Sequence, residues 1–561
     1  MRIILALNLL CALVFSAFAQ TYFALSDSPD VTITVQGAAT GSVFFAASGN
    51  DNNACTQAAP CQTLGKAQSL VYQPGATINF NGGDNFTGCW VLSPANVSGG
   101  GDKNNPIIVQ SYGNGRATWT SNCSAPSQGY MSVLDIVGVN GITVQNLILR
   151  QGAGFAANVG ILIEGPGDTI TIQDMDISGF VGPDDATPGA QIEIVGLGAQ
   201  NGGGCNPLNN IKVLRSVLHG DAPDSRTSNG IYGFGCGQNI TNVVYSNNHV
   251  FNMGGVPAGF LTNGIVITAV QGGLAEHNLI HDIGARNTNC GGPSGILVGA
   301  DSVTIRFNEV YNVRPSNFNQ GGCDWDAYDL DIGTTNSVVE YNYAHDNAGP
   351  CLLEFGAPGP NIYRYNVCEN NNLISEAIGG GGQISLNPST VQVYNNSVFM
   401  RAETHPGKPP SCIFMGFSGS YGPGSLVENN ICDVLATSEF NVTSGIANGG
   451  ADASGVTFRN NLYSSNINNF NYGDGQLPSL QAAQAAGKDL GSIQGDPLYT
   501  GAGTGGVCGN AVLSTGPQPC PSGYQLQGNS PALHAGTNVP NNGGRDYYGN
   551  SIGSPPNIGA F

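Results

Sequence analysis

The chain has 561 residues, including 83 Gly, and only 10% of its side chains are charged. Its net charge of −20 excludes proteins that bind nucleic acid or anionic membranes through a basic surface, and it favours a neutral ligand over a polyanionic one. The abundance of Gly, Asn, Ser, Thr and Val predicts short strands joined by many turns rather than helices.

The first 19 residues have the pattern of a secretory signal peptide. One Arg precedes an apolar run, which ends in Ala17-Phe18-Ala19 and predicts cleavage after Ala19. The run is too short for a stable membrane anchor. We therefore expect a secreted, extracellular, soluble monomer in which residues 20–42 form an N-terminal extension.

Loss of Cys11 with the signal peptide leaves 14 of the 15 cysteines, and an even number in an exported chain predicts disulfides. No C-x-x-C spacing indicates zinc. The cysteines fall into couples along the chain, although the sequence leaves their connectivity open: Cys55 and Cys61, Cys89 and Cys123, Cys205 and Cys236, Cys290 and Cys323, Cys351 and Cys368, Cys412 and Cys432, Cys508 and Cys520. Glycosylation sequons, which matter only in a host that glycosylates, begin at Asn85, Asn96, Asn122, Asn239, Asn395 and Asn441.

The central part of the chain repeats itself. Segments such as VVYSNNHVF (243–251) and VVEYNYAH (338–345) share an apolar residue, a variable residue, an often aromatic residue and then Asn, and a second strand such as NGIVITA (263–269) recurs between them. Such a period without a helical stripe predicts a solenoid. We predict an all-β fold, a right-handed parallel β-helix with its core repeats over residues 126–470. The repeated asparagines are Asn248, Asn278, Asn308, Asn342, Asn366, Asn396, Asn430 and Asn461.

Three columns of this repeat have structural interpretations. The asparagines are predicted to form an internal polar stack at a tight bend. Two residues earlier, acids and arginines such as Arg306 and Glu340 alternate, which favours a charge ladder over catalysis. Three residues after the Asn, His281 and His345 share a column with aromatic residues and are predicted to stack. His345 stays a candidate site residue because Asp346 follows it.

Four segments resemble the pectate-lyase-like superfamily of right-handed β-helix proteins. They are the stretch from VFFAASGN to INFNGG (43–83), YDLDIGTTNSVVEYNYAHDNAG (328–349), GKDLGSIQGDPLY (487–499) and the tail 529–561. The resemblance implies an N-terminal cap over residues 43–125 and an irregular C-terminal coil and tail over residues 471–561. It also implies a carbohydrate-active protein acting on a polysaccharide.

The specific motifs of known enzymes with this fold are missing from the sequence. The N-T-D, G-H-G and R-I-K motifs of polygalacturonase-like hydrolases do not occur, and the D-D at Asp184-Asp185 lies in a Gly/Pro loop. The W-x-D-H and R-x-P-x-x-R motifs of pectate lyases do not occur either. No catalytic residue can therefore be assigned by motif.

Candidate catalytic residues come from the segment GGCDWDAYDLDIGTT (321–335). If Leu330 and Ile332 point into the coil, strand alternation turns Asp329 and Asp331 outward, and Glu354 should lie beside Asp331 one coil later. Crowded carboxyls have separated pKa values, as glycoside hydrolysis requires. We predict that Asp329, Asp331 and Glu354 are catalytic.

Substrate and metal sites are predicted around the same segment. Trp325 and Tyr328 would stack on sugar rings, and the loops 179–190, 220–229, 284–294 and 314–327 would wall a groove, bringing Arg226 and Arg286. Asp324 and Asp326 in the Gly-rich loop are candidates for calcium. We expect no required cofactor.

Two alternatives to a glycoside hydrolase stay open. A lyase or C5-epimerase acting on uronates with calcium would need basic groups, which Arg401, His405 and Lys408 could supply. A non-catalytic glycan-binding or surface solenoid would need none of the carboxylates.

Overall fold

The computed structural model of the chain describes residues 41–123, 132–153, 158–182, 189–196, 204–257, 262–288, 292–316, 324–373, 382–400, 411–416, 418–434, 443–514 and 520–561. The predicted signal peptide lies outside these ranges. So do several residues singled out above: Cys290, Cys323, Asp184, Asp185, Arg401, His405, Lys408 and Asn441.

Strands dominate the described residues, with only two short α-helices, α1 (Leu64–Ser69) and α2 (Leu480–Ala485), and three 3-10 segments, Ser98–Gly100, Gly509–Ala511 and Ser522–Tyr524. The first strands are β1 Ser42–Phe45, β2 Thr77–Asn81, β3 Asn85–Thr87, β4 Trp90–Leu92, β5 Ile107–Tyr112, β6 Ala117–Thr120, β7 Ser132–Val137, β8 Asn140–Gln145, β9 Leu147–Arg150, β10 Val159–Glu164, β11 Gly167–Gln173, β12 Asp176–Ser178, β13 Ala190–Val195, β14 Leu208–Leu214 and β15 Val217–His219.

The central strands are β16 Asn229–Phe234, β17 Ile240–Ser246, β18 His249–Met253, β19 Asn263–Glu276, β20 Leu279–Ile283, β21 Ser294–Arg306, β22 Glu309–Val313, β23 Asp326–Leu330, β24 Val338–Glu340, β25 Tyr343–His345, β26 Leu352–Glu354, β27 Asn361–Arg364 and β28 Val367–Glu369. The last strands are β29 Gly382–Leu386, β30 Val391–Tyr394, β31 Ser397–Met400, β32 Ser411–Met415, β33 Leu426–Glu428, β34 Ile431–Val434, β35 Ser444–Asn448, β36 Thr457–Arg459, β37 Leu462–Tyr463, β38 Asn469–Asn471, β39 Gln476–Leu477 and β40 Ile493–Gln494.

Each coil contributes strands to three parallel sheets. Sheet A runs through β4, β7, β10, β13, β16, β19, β21, β23, β26, β29, β32, β35 and β38. Sheet B begins with β1, β2, β5 and β8, and the long strands β19 and β21 continue from sheet A into it. Sheet C is a separate 14-stranded sheet from β3 to β40. The predicted all-β parallel β-helix is confirmed.

The predicted asparagine stack is also confirmed. The side-chain amide of each of the first seven asparagines donates to the side-chain oxygen of the next, as from Asn308 to Asn342 at 2.9 Å, and the eighth, Asn461, donates to Asp489 at 3.1 Å. The residue before each ladder asparagine has a left-handed backbone, as at Tyr341 with φ of 57°. This bend turns the chain from sheet B into sheet C, and the ladder satisfies the polar groups buried there.

Two outer columns match their predicted structural roles. Arg306 pairs with Glu276 at 2.8 Å and Arg364 with Glu340 at 2.6 Å, which forms the charge ladder on sheet B. The rings of Phe251, His281, Tyr311 and His345 stack in succession on sheet C, with centroids 4.7–5.3 Å apart.

Disulfides join six of the predicted couples: Cys55–Cys61, Cys89–Cys123, Cys205–Cys236, Cys351–Cys368, Cys412–Cys432 and Cys508–Cys520. In the part of the chain that the structure describes, no helix is long and apolar enough to cross a bilayer.

Candidate functional site

Strand β23 places Asp329 on the outer face of sheet A. Asp329 lies opposite Leu297 of β21 and Leu353 of β26, while its neighbours Tyr328 and Leu330 are fully buried in the core. Because successive side chains of a strand point to opposite sides, Asp329 faces away from the interior of the coil.

The chain leaves sheet A immediately after β23, so the prediction that Ile332 points inward is wrong. Ile332 is 54% exposed. The backbone N–H of Asp331 still donates to the carbonyl of Val298 at 2.7 Å, and the N–H of Thr334 then donates to the carbonyl of Asp331 at 3.0 Å to close a turn. Asp331 is partly exposed at this edge of the sheet.

The sequence predicted that Glu354 lies beside Asp331, and this prediction is wrong. Glu354 lies opposite Leu330, in a column that continues into Leu386 and points into the coil. Its side chain is fully buried and accepts a hydrogen bond from the Ser389 hydroxyl, and burial raises its pKa to about 8. Glu354 is therefore an interior acid, and its assignment as an outward catalytic residue is corrected.

The carboxyls of Asp329 and Asp331 have different electrostatic environments. Burial and the neighbouring charges of Asp326 and Asp331 raise the pKa of Asp329 well above its ordinary value. Burial and the charge of Asp324 raise the pKa of Asp331 only to about 6. Burial and like charge thus favour the protonated form of Asp329. The Oδ1 atom of Asp329 is buried without a hydrogen-bond partner.

Asp324 and Asp326 take hydrogen bonds from the protein rather than forming a calcium cage. The Gly292 N–H donates to Asp324 Oδ2 at 2.8 Å, and the Ser294 hydroxyl donates to Asp326 Oδ2 at 3.3 Å. Asp326 is fully buried, in register with Ser294. Within the described ranges, no group of three or more His, Cys, Asp or Glu side chains could hold a metal ion. These residues do not fit a calcium site, and no step is assigned to calcium.

Trp325 and Tyr328 offer no surface for a sugar ring. Both side chains are 0% exposed and belong to the hydrophobic core. The Tyr328 hydroxyl donates to the carbonyls of Asn308 and Tyr343 at 2.9 and 3.0 Å, so its polar end is bound inside the coil. Their predicted stacking role is corrected, because β23 turns Tyr328 inward and Trp325, which precedes the strand, is also buried in the core.

His345 is a buried structural residue of sheet C. Its imidazole lies 3.2 Å from Glu309 and 2.9 Å from Asp346. These two carboxylates outweigh the effect of burial and raise its pKa to about 9. His345 therefore carries a positive charge that stabilises its own sheet, and the predicted substrate contact is not supported.

Parts of three of the predicted groove loops meet near Asp282, while Gly292 of the loop 284–294 contacts Asp324. Asp224, Ala285 and Arg314, one from each of three of these loops, line a cavity of about 410 Å³. Arg226 donates to the carbonyl of Gly182 at 3.0 Å, and the backbone of Arg286 donates to that of Gly254 at 2.8 Å. Among the described residues, the charges that shift the pKa values of Asp326, Asp329 and Asp331 are all acidic. The contacts of Arg226 and Arg286 therefore do not support their predicted place beside these aspartates.

Three further carboxyls lie on the outer face of sheet A and were not among the residues predicted from the sequence. Asp135 of β7 and Glu193 of β13 flank Leu162 of β10, and Glu164 follows two residues after Leu162. Burial and the charge of Glu164 raise the pKa of Glu193 to about 8. Alternation in VLDIV, ILIEG and QIEIV contains this signal, because each acid follows an inward-facing aliphatic residue.

Comparisons with known proteins give distant likenesses. No protein-family model and no curated protein matches the chain. Among solved structures, it is similar to a GH136 lacto-N-biosidase from Eubacterium ramulus, with 17% identity, a TM-score of 0.49 and coverage of 72% of this chain and 68% of that one. It is also similar to the pectate lyase Pel9A, with 14% identity, a TM-score of 0.44 and coverage of 94% and 97%. The PL6 family alginate lyase AlyGC gives 13% identity, a TM-score of 0.48 and coverage of 87% and 59%.

These likenesses are too distant to bear on the activity of this chain. The parallel β-helix, the fold of the superfamily that the sequence segments resemble, is established by the strand pairing itself.

Proposed function

We propose that the chain is a secreted polysaccharide-degrading enzyme, a glycoside hydrolase whose catalytic pair is Asp329 and Asp331. One observation carries the proposal. Two carboxyls lie two residues apart at the outer edge of sheet A, and their environments push their pKa values apart, above the usual range for Asp329 and to about 6 for Asp331. Such a pair supplies a protonated acid and an ionised carboxylate at the same pH.

The spacing of the pair suits hydrolysis of a glycosidic bond. Asp331 directly follows β23, and residues two apart in extended backbone are separated by about 6.6 Å between their Cα atoms. Glycoside hydrolases hold their two carboxyls about 5–9.5 Å apart, flanking the scissile bond. The pair therefore has room for a sugar linkage between the two groups.

Each carboxyl has one task in the proposed reaction. Asp329 donates its proton to the glycosidic oxygen as the bond to the anomeric carbon breaks, so that the leaving sugar departs as an alcohol. Asp331 is negatively charged and stabilises the positive charge that develops on the sugar ring, as base or nucleophile. Water supplies the hydroxyl group of the second product.

The substrate class is supported by charge and by the sequence resemblance. The net charge of −20 repels a polyuronate, so a neutral polysaccharide is favoured. Secretion is supported by the N-terminal signal pattern and by the six described disulfides, which form and persist in oxidising compartments.

Kinetics of two variants test the proposal. Asp331→Asn and Asp329→Asn should each lower kcat at least about a hundredfold, because general acid–base catalysis contributes that much or more. In the wild type, kcat/KM should rise with pH through about 6 as Asp331 ionises. The control is Asp474→Asn, which removes only a surface ion pair to Lys488 and should leave kcat unchanged.

Three outcomes reject the catalytic pair. Full activity in Asp331→Asn would show that the carboxylate takes no part. A product with an unsaturated uronate would indicate a lyase instead. Saturable glycan binding without any product, in the wild type, would indicate a binding solenoid.

A further inference from the structure

An exposed strip runs along the outer edge of sheet A toward the proposed catalytic pair. Val195, Phe234, Thr268 and Gly299 lie opposite one another on β13, β16, β19 and β21, and Asp331 follows at the end of β23. All five are partly exposed, whereas their outward neighbours Val266, Leu297 and Asp329 are nearly buried. The strip therefore holds the more accessible positions of this face, and Asp329 lies two residues from its end at Asp331.

Side-chain size changes along the strip in a way that forms a track. Phe234 is large, Thr268 is smaller and Gly299 has no side chain, so the side chains shorten from Phe234 toward Asp331. Neighbouring strands lie about 4.8 Å apart, so the three steps from Phe234 to Asp331 span about 14 Å. The length suits more than one sugar ring.

Two aromatic rings stand at the far end of this track. Tyr232 and Phe234 both point outward from β16, with centroids 6.2 Å apart and ring planes only 4° from parallel. Both are partly exposed. Parallel rings with accessible apolar surface are suited to the C–H faces of sugars, which stack on aromatic side chains in carbohydrate sites.

The charges around this end favour a neutral sugar. Val195, Phe234 and Thr268 are uncharged, and Glu193, which lies opposite Tyr232, is mostly protonated at neutral pH because burial raises its pKa to about 8. None of these positions holds a Lys or Arg to pair with a uronate carboxylate.

We propose that the strip from Phe234 to Asp331 is a subsite track for an uncharged glycan chain, with Tyr232 and Phe234 holding the sugars farthest from the catalytic pair. The inference rests on the proposed function, since it extends the same site along sheet A. On this proposal, the aromatic pair makes the affinity depend on the length of the glycan substrate. Long substrates reach it, and short ones do not.

Binding without turnover tests the track. The Asp331→Asn chain would be run by affinity electrophoresis through gels containing xylan, galactomannan, mixed-linkage β-glucan or polygalacturonate. We expect retardation by at least one neutral glycan, and a loss of about tenfold in apparent affinity for Phe234→Ala and for Tyr232→Ala. The control is Tyr112→Ala, a partly exposed aromatic of sheet B, which should bind unchanged. Phe234→Leu, which removes the ring but keeps apolar volume, replaces Phe234→Ala if thermal unfolding shows that the latter does not fold.

The binding measurement can be interpreted whether or not the hydrolase proposal holds, because it does not depend on turnover. Activity retained by Asp331→Asn would reject the catalytic pair and leave the binding data intact. The track is overturned if no glycan retards the chain, if polygalacturonate retards it most, or if removal of both aromatic rings leaves the affinity unchanged.

Discussion

Among single residues, the direction of the side chain decides what each acid in the segment 321–335, and Glu354 on the next coil, can contact. Asp329 is 2% exposed on the outer face of sheet A and Asp331 is partly exposed at its edge, whereas Asp326 and Glu354 are 0% exposed. The sequence could predict the alternation of β23 but placed Glu354 one residue out of register, beside Asp331 rather than Leu330. A slip of one residue reverses the side to which a side chain points, and the sequence does not state the register between coils.

Glu354 makes the stability of the chain depend on pH. Its folded-state pKa of about 8 lies above the ordinary 4.5, so the folded chain keeps a proton that the unfolded chain releases between these pH values. Stability from this residue is fully present below about pH 4.5 and is lost as the pH rises to about 8, at up to about 1.4 kcal/mol per pH unit.

We therefore predict that Glu354→Gln raises the unfolding temperature at pH 8.5 and has much less effect at pH 5. Thermal unfolding followed by circular dichroism at both pH values measures this. Glu276→Gln, on the outer charge column, is the control and should not flatten the pH dependence. Equal shifts of Glu354→Gln at pH 5 and pH 8.5 would contradict a protonated interior acid.

Among structural elements, the asparagine ladder sets the bend between sheets B and C. The sequence predicted it from the period of the asparagines, because each occupies the same bend in successive coils. It did not show that the ladder ends on Asp489, which also accepts hydrogen bonds from Tyr463 and Tyr472 at 2.6 and 2.8 Å. Asp489 lies outside the repeat, so no periodic signal marks it.

Removal of one ladder asparagine should be costly. Asn342→Ala leaves both the backbone and side-chain N–H groups of Asn308 without their shared acceptor, and it removes the side-chain amide that donates to Asn366 Oδ1. Each unsatisfied buried group costs about 1–3 kcal/mol. We predict a loss of at least about 2 kcal/mol in unfolding free energy, measured by urea denaturation. Asn104→Ala, at an exposed turn, should change it little, and equal effects of the two variants would argue against the ladder.

On the scale of the whole molecule, the C-terminal tail covers part of the bend and sheet C. Cys508 and Gly509 donate backbone N–H groups to Glu309 at 2.7 and 2.8 Å, and Arg364 donates to the carbonyl of Asn541 at 2.6 Å. Buried tyrosines such as Tyr547 belong to a second apolar cluster between the coils and the tail. The resemblance predicted that the tail packs on the helix, but not which carboxylate anchors it.

Glu309→Gln tests this anchor. An amide offers one acceptor oxygen where the carboxylate offers two, and its NH₂ group faces the N–H donors of the tail. We predict a loss of about 1–3 kcal/mol and faster thermolysin cleavage after residue 500 at moderate temperature. Glu276→Gln is again the matched control. Unchanged cleavage would show that Glu309 does not hold the tail.

The whole fold was more predictable than the site, for a physical reason. Period, alternation and turn residues repeat in every coil, so the fold can be predicted even where the pattern of a single coil is ambiguous. Trp325 and Tyr328 occur once, and their burial depends on where β23 begins, since Trp325 precedes the strand with φ of 43°. The outward acids Asp135, Glu164 and Glu193 were visible in the pattern, but recognising them requires the register of sheet A.

The central claim, hydrolysis at Asp329 and Asp331, is tested most directly by the chemistry of the product. The purified wild-type chain would be incubated with xylan, galactomannan, mixed-linkage β-glucan, polygalacturonate and alginate, with reducing ends and ultraviolet absorbance read from the same samples. The account predicts new reducing ends from a neutral polysaccharide without ultraviolet absorbance, and their disappearance in Asp331→Asn. Absorbing products from a uronate polymer, or reducing ends that persist in Asp331→Asn, would contradict it.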